Sequence, residues 1–495
     1  MEKRKTIIID EFDGGVTRDL RVQSTNKFKI SKNFDNYSDS KRLQPFRALE
    51  ANETKAINIT QFIQTNSQIY GYGTVSGATL LGTAKIYKKT GNLITSDWVE
   101  DRAVNGLGAR EANVFFEYKD YLYFWEAGAR LTRHGDITAT ATNATYQTIS
   151  YTNVAQPVHH PADDIAYFFS DNKVHKLNGT AWSLAVLTLP DNLIITCATA
   201  YGNYLAIGCK SKTLSGKSIV FLWDRDSSLT TISEKIDWGK GDLRILDVLD
   251  GVLIGISNVS TNLFGLKEKI QIKWYSGIIS MPLELDMDSV TTGDYEYKIP
   301  DDAKGFLQNN KLYFPIESGQ SADGGKYTGI WVVGRHETGS PFSVTMAYKI
   351  DTDATSDQIQ GFNIFEDYLF VAHSSDGSVD RTNDNAVYPT ATYESYIFTG
   401  GDSSQTKKLL RATVIVEPQP SAGTFTLSYK RDAETTWTDI FTDSTDDDIR
   451  HTALNIEATG VNLGQFKEVQ FKITSTGGTV ITGLKFEYEE IDDDK

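Results

Sequence analysis

The side chains able to do chemistry are few, and their spacing suits little of it. Adjacent histidines occur once, in His159-His160-Pro161-Ala162-Asp163-Asp164. Neighbours on an extended chain point to opposite faces, so such a pair chelates one metal poorly. The stretch reads as a surface loop. Asp351-Thr352-Asp353-Ala354-Thr355-Ser356-Asp357 sets oxygens at alternate positions as calcium loops do, but it lacks the glycine at position six, and Phe362 stands where the closing glutamate belongs. Asp443 with Asp446, Asp447 and Asp448 is a denser carboxylate run. Both are expected to be solvated turns. Glycoside hydrolysis needs two carboxylates, but a chain with 65 acidic residues always offers pairs. No G-x-S-x-G, H-E-x-x-H, P-loop or dinucleotide fingerprint occurs. Cys197 and Cys209, in neighbouring apolar runs, read as buried reduced thiols. Two cysteines cannot build a disulfide framework or a Cys-rich zinc module. No catalytic, metal or cofactor residue is assigned, and the chain is expected not to be an enzyme.

The elements around these residues are strands. Across 495 residues, 40% hydrophobic and 11% aromatic, almost no stripe at helical spacing appears. Apolar runs of 4–8 residues recur instead, cut by Gly, Asn, Asp and Ser, as in Val114–Tyr118, Tyr121–Trp125, Ile219–Trp223 and Ile270–Trp274. Beneath them lies a repeat: a turn residue, then a strand rich in Tyr, Leu, Ile and Phe. Its copies start at Ser67, Asp120, Asn172, Asn203, Asp250, Asn310 and Asp367, at steps of 53, 52, 31, 47, 60 and 57 residues. The mean of 50 suits four-stranded propeller blades. The turn residue tolerates the positive φ of a tight hairpin. The strand after it is apolar on both faces because it lies between two sheets. The pattern predicts an all-β protein with a β-propeller of seven blades, one abbreviated, or alternatively six. A stack of ordinary β-sandwiches is the competing architecture. Trp98, Trp125, Trp182, Trp223, Trp238, Trp274 and Trp331 are expected as blade-packing anchors, with Trp437 beyond them.

The repeat stops near Val387. Leu409–Val416, Thr424–Tyr429, Gln465–Ile473 and Thr479–Tyr488 alternate like sandwich strands. The expected domains are an extended arm over 1–50, the propeller over 51–392 and a jelly-roll-like β-sandwich over 393–495. The arm's strand Thr6–Ile9 is expected to complete a blade or to lie on a neighbouring subunit. The net charge of −16 argues against wrapping DNA or hugging an anionic membrane. No apolar window is long enough for a signal peptide or a membrane span, so a soluble chain made in the cytoplasm, with no membrane anchor, is expected.

Two resemblances add to this. Ser321-Ala322-Asp323-Gly324-Gly325 resembles the first half of the Asp-box turn of sialidase propellers, but Tyr327 and Thr328 stand where its Thr and Trp belong. A sialidase also needs an arginine cluster, and single residues such as Arg244 and Arg335 give no spacing for one. The second resemblance runs through the whole chain in outline. Phe12-Asp13-Gly14-Gly15, then Asn33-Phe34-Asp35-Asn36-Tyr37, then Arg42-Leu43-Gln44-Pro45 are similar to the opening of tailed-bacteriophage tail and head-completion proteins. Leu427–Arg431, Trp437, Glu468–Ile473 and Ile481–Tyr488 resemble the sandwich domains that close such proteins. The family implied is that of the propeller-bearing nozzle and DNA-stabilisation proteins of short-tailed phages. The resemblance implies a structural virion protein in a homo-oligomeric ring, hexameric by preference, that meets the portal, adaptor or other tail proteins while DNA passes without sequence-specific binding. An alternative is a glycan-binding or glycan-cleaving propeller at the tail tip, with exposed tryptophan platforms.

Overall fold

In the computed structural model, the described residues are 4–14, 27–51, 57–64, 68–75, 84–89, 98–103, 112–126, 130–134, 142–212, 216–228, 232–260, 268–285, 297–300, 303–318, 327–338, 340–350, 359–373, 379–383, 387–400, 403–445, 450–454 and 464–491. Among them there is no helix. The chain divides into two units, one of residues 50–328 and 351–382, the other of 1–49, 329–350 and 383–495.

The first unit is a seven-bladed propeller. Five antiparallel four-stranded sheets follow one another in chain order. Blade 1 is Ile57–Gln64, Ile69–Val75, Ala84–Lys89 and Trp98–Ala103, and blade 2 is Ala112–Tyr118, Tyr121–Glu126, Arg130–His134 and Thr142–Thr148. Blade 3 is Val154–His160, Ile165–Ser170, Lys173–Asn178 and Ala181–Thr188. Blade 4 is Leu193–Tyr201, Tyr204–Ser211, Lys217–Trp223 and Glu234–Lys240, and blade 5 is Asp242–Leu249, Val252–Ser260, Glu268–Tyr275 and Leu283–Leu285. Blade 6 gives this unit Tyr297–Lys298, Phe306–Gln308 and Lys311–Ser318. Blade 7 is Ile359–Phe365, Tyr368–His373 and Val379–Thr382, with Leu49–Ala51 as its outer strand.

Closure is visible in the inner strands and, at blade 6, in its second strand. Those of blades 1 to 5 meet in succession, Asp242–Leu249 then meets Lys311–Ser318, and Lys311–Ser318 meets Ile359–Phe365, which returns to Ile57–Gln64. An early strand completes the last blade, so the ring is shut by backbone hydrogen bonds between distant parts of the chain. The bond is reinforced by Arg381, buried, whose Nη2 lies 2.5 Å from Glu50 Oε1.

The core sits between blades rather than at one centre. Trp98 meets Phe370 edge to face at 5.9 Å, tying blade 1 to blade 7. Phe168 of blade 3 packs on Phe116 of blade 2 at 5.8 Å, and Phe169, Val174, Leu205 and Ile207 join blades 3 and 4. As expected, second strands are apolar on both faces, and Ile165–Ser170 is buried at every position. Trp98, Trp125, Trp223, Trp238 and Trp331 are buried, while Trp182, Trp274 and Trp437 are half-buried.

The repeat needs one correction, and it removes the abbreviated blade. The expected turns at Asp120, Asn203, Asp250, Asn310 and Asp367 do open second strands, but Asn172 opens the third strand of blade 3. The matching turn is Pro161–Asp164, before Ile165. Counting from Asp164 gives steps of 44 and 39 residues in place of 52 and 31. Blade 3 is a full four-stranded sheet. Asn172 misleads because it stands before an apolar strand like the others, and its Nδ2 donates to Leu189 O at 2.6 Å.

The second unit is a two-sheet sandwich. One sheet has the order Arg4–Ile9, Ile481–Ile491, Thr406–Val416, Arg450–Leu454, with Gln465–Phe466 also on Thr406–Val416. The other runs Gly329–Gly334, Ser343–Lys349, Phe28–Lys32, Ala391–Phe398, Val469–Thr476, Thr424–Arg431, Thr438–Asp443. The two inner faces share one core, in which Phe471 stacks on Phe486 and Phe12 meets Tyr393 edge to face at 5.4 Å. The N-terminal segment is therefore woven into the sandwich rather than extended away from it. Its Ile7 and Ile9 alternate inward while pairing antiparallel with Phe486 and Leu484. Thr6–Ile9 completes no blade. Residues 329–350, expected within the propeller, group with the sandwich unit, which resumes at 383 rather than 393.

Candidate interaction face

The geometry of a four-stranded blade gathers particular loops on one face. Strands alternate in direction, so the turn from first to second strand and the turn from third to fourth strand emerge at the same end. The tight first-to-second turns carry positive φ at Lys119 and Asp120 (49° and 63°), Asp250 and Gly251 (53° and 75°), Asn309 and Asn310 (49° and 58°), and Glu366 and Asp367 (48° and 66°). Two successive left-handed residues match the twist of the hairpin. Asn, Asp and Gly bear this conformation with least strain. The same chemistry leaves carboxylates on the surface. Asp120, Asp164, Asp224, Asp226, Asp250, Glu366 and Asp367 are exposed on this face.

Two of its cations, Lys119 and Arg225, are held by a neighbouring blade. Lys119 Nζ of the blade 2 turn lies 2.8 Å from Asp164 Oδ2 of the blade 3 turn, and His159 Nε2 lies 2.9 Å from Asp164 Oδ1. The bond to Lys119, then that to His159, holds the Asp164 carboxyl below the usual carboxylate range. Tyr118 Oη donates to Asp164 O at 2.8 Å and accepts from Gly179 N at 3.1 Å. Between blades 3 and 4, Arg225 Nη1 is 2.5 Å from Asp163 Oδ2, and its Nε and Nη2 donate to Asn203 O at 3.2 and 3.0 Å. Tyr167 Oη donates to the same Asp163 oxygen at 2.8 Å. These clamps fasten turns of successive blades and leave the acidic character of the face in place.

The paired histidines end a strand and do not form a loop. His159 is exposed and His160 fully buried, on opposite faces as alternation requires. His160 Nδ1 accepts from Ala162 N at 3.3 Å, which leaves Nε2–H to donate to Tyr204 O at 3.1 Å. Burial, then the nearby Arg225 charge, lowers its pKa. Among the described residues no group of His, Cys, Asp and Glu is arranged to hold a metal. The turns Asp351–Asp357 and Ser321–Gly325, and Asp446, Asp447 and Asp448, lie outside the described residues. Arg244 pairs with Asp242 at 2.6 Å, where Lys210 also arrives at 3.0 Å, and Arg335 lies over the Phe342 ring at 4.6 Å. Cys197 and Cys209 are free and buried, and burial pushes the Cys197 thiol up to about 12.

Three features had no clear signal in the sequence. Asp247 on the inner strand of blade 5 accepts from Val248 N at 2.8 Å and from Thr199 Oγ1 at 3.4 Å, and burial raises it to about 6. Inside blade 3, His175 Nδ1 accepts from Ala185 N at 3.1 Å and its Nε2 lies 2.8 Å from Ser170 Oγ. Ala185, at φ 50°, bulges there in the outer strand. Burial drives His175 down to about 4. The third is the exposed apolar turn at Ile278 and Met281.

No protein-family model and no curated protein matches the chain. Solved structures similar to it include the extracellular domain of a hybrid two component system from B. thetaiotaomicron, with TM-score 0.44 and 10% identity over 80% of this chain and 44% of that one. This chain thus spans under half of that relative's length. YCF48 bound to D1 peptide has TM-score 0.41 and 10% identity over 70% of this chain and 100% of that one. The Cps50 (Swd1) β-propeller domain from Myceliophteria thermophila has TM-score 0.42 and 11% identity over 68% and 100%. The propeller is read from the strand order and the closed succession of blades.

Proposed function

We propose that the chain is a structural virion protein of a tailed bacteriophage: a propeller-bearing tail subunit, nozzle or hub, in a homo-oligomeric ring that forms part of the DNA conduit below the portal and adaptor. In this reading the protein is made in the host cytoplasm, is not an enzyme, and lets DNA pass without sequence-specific binding. The observation that carries the proposal is where the resembling segments sit. The opening and the closing segments of the chain, which bear the likeness to tail proteins separately, belong to one sandwich unit and supply its core through Phe12, Phe34, Leu43, Leu427, Phe471 and Phe486.

The arm's residues have matching structural work. Asn36 Nδ2 donates to Phe12 O at 2.9 Å and Asn36 Oδ1 accepts from Ser31 Oγ at 2.9 Å. Asn33 Nδ2 donates to Thr390 O at 3.0 Å while its Oδ1 accepts from Lys349 N at 2.8 Å. Arg42 Nη1 meets Glu417 Oε1 at 2.9 Å. The chain passes between the units at four points (49/50, 328/329, 350/351 and 382/383) instead of through one linker. That connectivity suits a scaffold that transmits force. The charge of −16 suits a conduit, because carboxylates repel phosphates. The glycan alternative needs exposed tryptophans, and five of the eight are buried in blades or in the sandwich unit.

The test is the mass of the purified protein and its presence in virions. A ring-sized oligomer, with antibody label along the tail in negative stain, is the expected result. A stable monomer absent from particles refutes the proposal.

A further inference from the structure

Among the described residues, the two most exposed large apolar side chains lie three positions apart on one turn: Ile278, 82% exposed, and Met281, 86% exposed. The turn joins the third and fourth strands of blade 5 and is held in shape. Trp274 N donates to Ser280 Oγ at 3.1 Å, Ser280 N donates to Trp274 O at 2.9 Å, and Tyr275 bridges to Ile279. Ile279 packs back into the core between blades 4 and 5, which aims its neighbours outward. No charge occurs from Tyr275 to Leu283. A single exposed apolar residue needs no explanation, but two on a fixed protrusion mark a contact surface.

The surroundings say what kind. The turn emerges on the acidic face, beside the blade 4 loop bearing exposed Asp224 and Asp226 and near the blade 5 turn bearing exposed Asp250. Tyr275 Oη, at the base of the protrusion, donates to Glu234 Oε1 at 2.6 Å. The blade 4 loop also carries Arg225, held by Asp163, and exposed Lys235 follows Glu234 in the chain.

We propose that Ile278 and Met281 anchor a docking surface for a protein partner that offers an apolar pocket rimmed by Lys and Arg. An apolar anchor inside a charged rim is the layout of a specific protein interface. Charge excludes the other occupants. Nucleic acid and anionic membranes carry the same sign as the rim, and a second copy docking face to face would set carboxylates against carboxylates. The proposal goes beyond the tail reading and does not depend on it.

The test uses the full chain and defined probes: a short amphipathic peptide of leucine and lysine, its leucine and glutamate counterpart, phosphatidylcholine vesicles with and without phosphatidylglycerol, and the chain's own association measured by mass. The Leu/Lys peptide is expected to bind at least about ten-fold more tightly than the Leu/Glu peptide, with binding weakened about ten-fold in I278S/M281S. D224N/D226N should flatten its salt dependence. Both variants change exposed residues, and an unaltered melting temperature confirms their fold. Equal binding of the two peptides, indifference to I278S/M281S, or vesicle binding or self-association lost in that variant overturns the proposal.

Discussion

His175 offers a measurable link between one side chain's protonation and the stability of a blade. Its ring is 3% exposed and uses both nitrogens. Nδ1 accepts from Ala185 N at 3.1 Å, so the remaining Nε2–H points to Ser170 Oγ at 2.8 Å. Protonation would set a second N–H against that of Ala185 and would place a charge in a dry site. Burial, then the neighbouring Lys173 charge, accordingly lowers the group to about 4. In the unfolded chain it titrates near 6.5. Between those values the unfolded state binds more protons, so stability falls as pH drops from about 6.5 toward 4. At about 1.4 kcal/mol per pH unit, the loss between pH 7.5 and pH 4 comes to roughly 3 kcal/mol. Carboxylates titrate in the same window, so the useful quantity is a difference. His175→Gln keeps an acceptor and a donor on a side chain of similar reach but cannot titrate. Urea unfolding of both proteins at several pH values should show the gap between them shifting in the variant's favour by about 3 kcal/mol as pH falls to 4. A gap independent of pH, or a His175 resonance titrating above 6, refutes the reasoning.

Asp247 should behave in the opposite sense. Its folded value of about 6 lies above the unfolded value, so its penalty is absent near pH 4 and grows as pH rises through 6. Asp247→Asn, able to keep the bonds from Val248 and Thr199, should raise stability at pH 8 by no more than about 3 kcal/mol and leave it unchanged at pH 4 in denaturant melts. Gly255→Ala would place a methyl 2.6 Å from Trp238 Cζ2 and 2.7 Å from Cε2 at the join of blades 4 and 5. An overpacking cost of about 1–3 kcal/mol is expected in the urea midpoint, and an unchanged midpoint would contradict the tight join. Cys197 and Cys209, buried and with raised thiol pKa values, should both resist a thiol reagent at pH 8 until denaturant is added. Labelling of the native chain would show that the blades 3–4 and 4–5 cores open.

Where local chemistry decides the outcome, the sequence by itself determined the structure. A tight hairpin needs left-handed residues at adjacent positions, and Asp120, Asp250, Asn310 and Asp367 announce it without reference to anything distant. A strand caught between two blades must be apolar on both faces, so Tyr204–Ser211 and Tyr368–His373 identify themselves. The change of texture after Val387 marked a second unit for the same reason. Tertiary structure decided what a strand pairs with. Any edge satisfies the open hydrogen bonds of Arg4–Ile9, and only packing selects Ile481–Ile491, nearly the whole chain away. Leu49–Ala51, too short for any pattern, completes blade 7 because that blade lacks a fourth strand. Asn172 was misplaced because a turn residue before an apolar strand looks alike at either end of a hairpin. The candidate face was equally hidden. Its carboxylates are scattered from Asp120 to Asp367, and strand alternation alone brings them to one end of the ring. Nothing in the chain sets Ile278 and Met281 apart from core residues. Ile279, between them, packs inward, and the turn's own hydrogen bonds commit the other two to solvent.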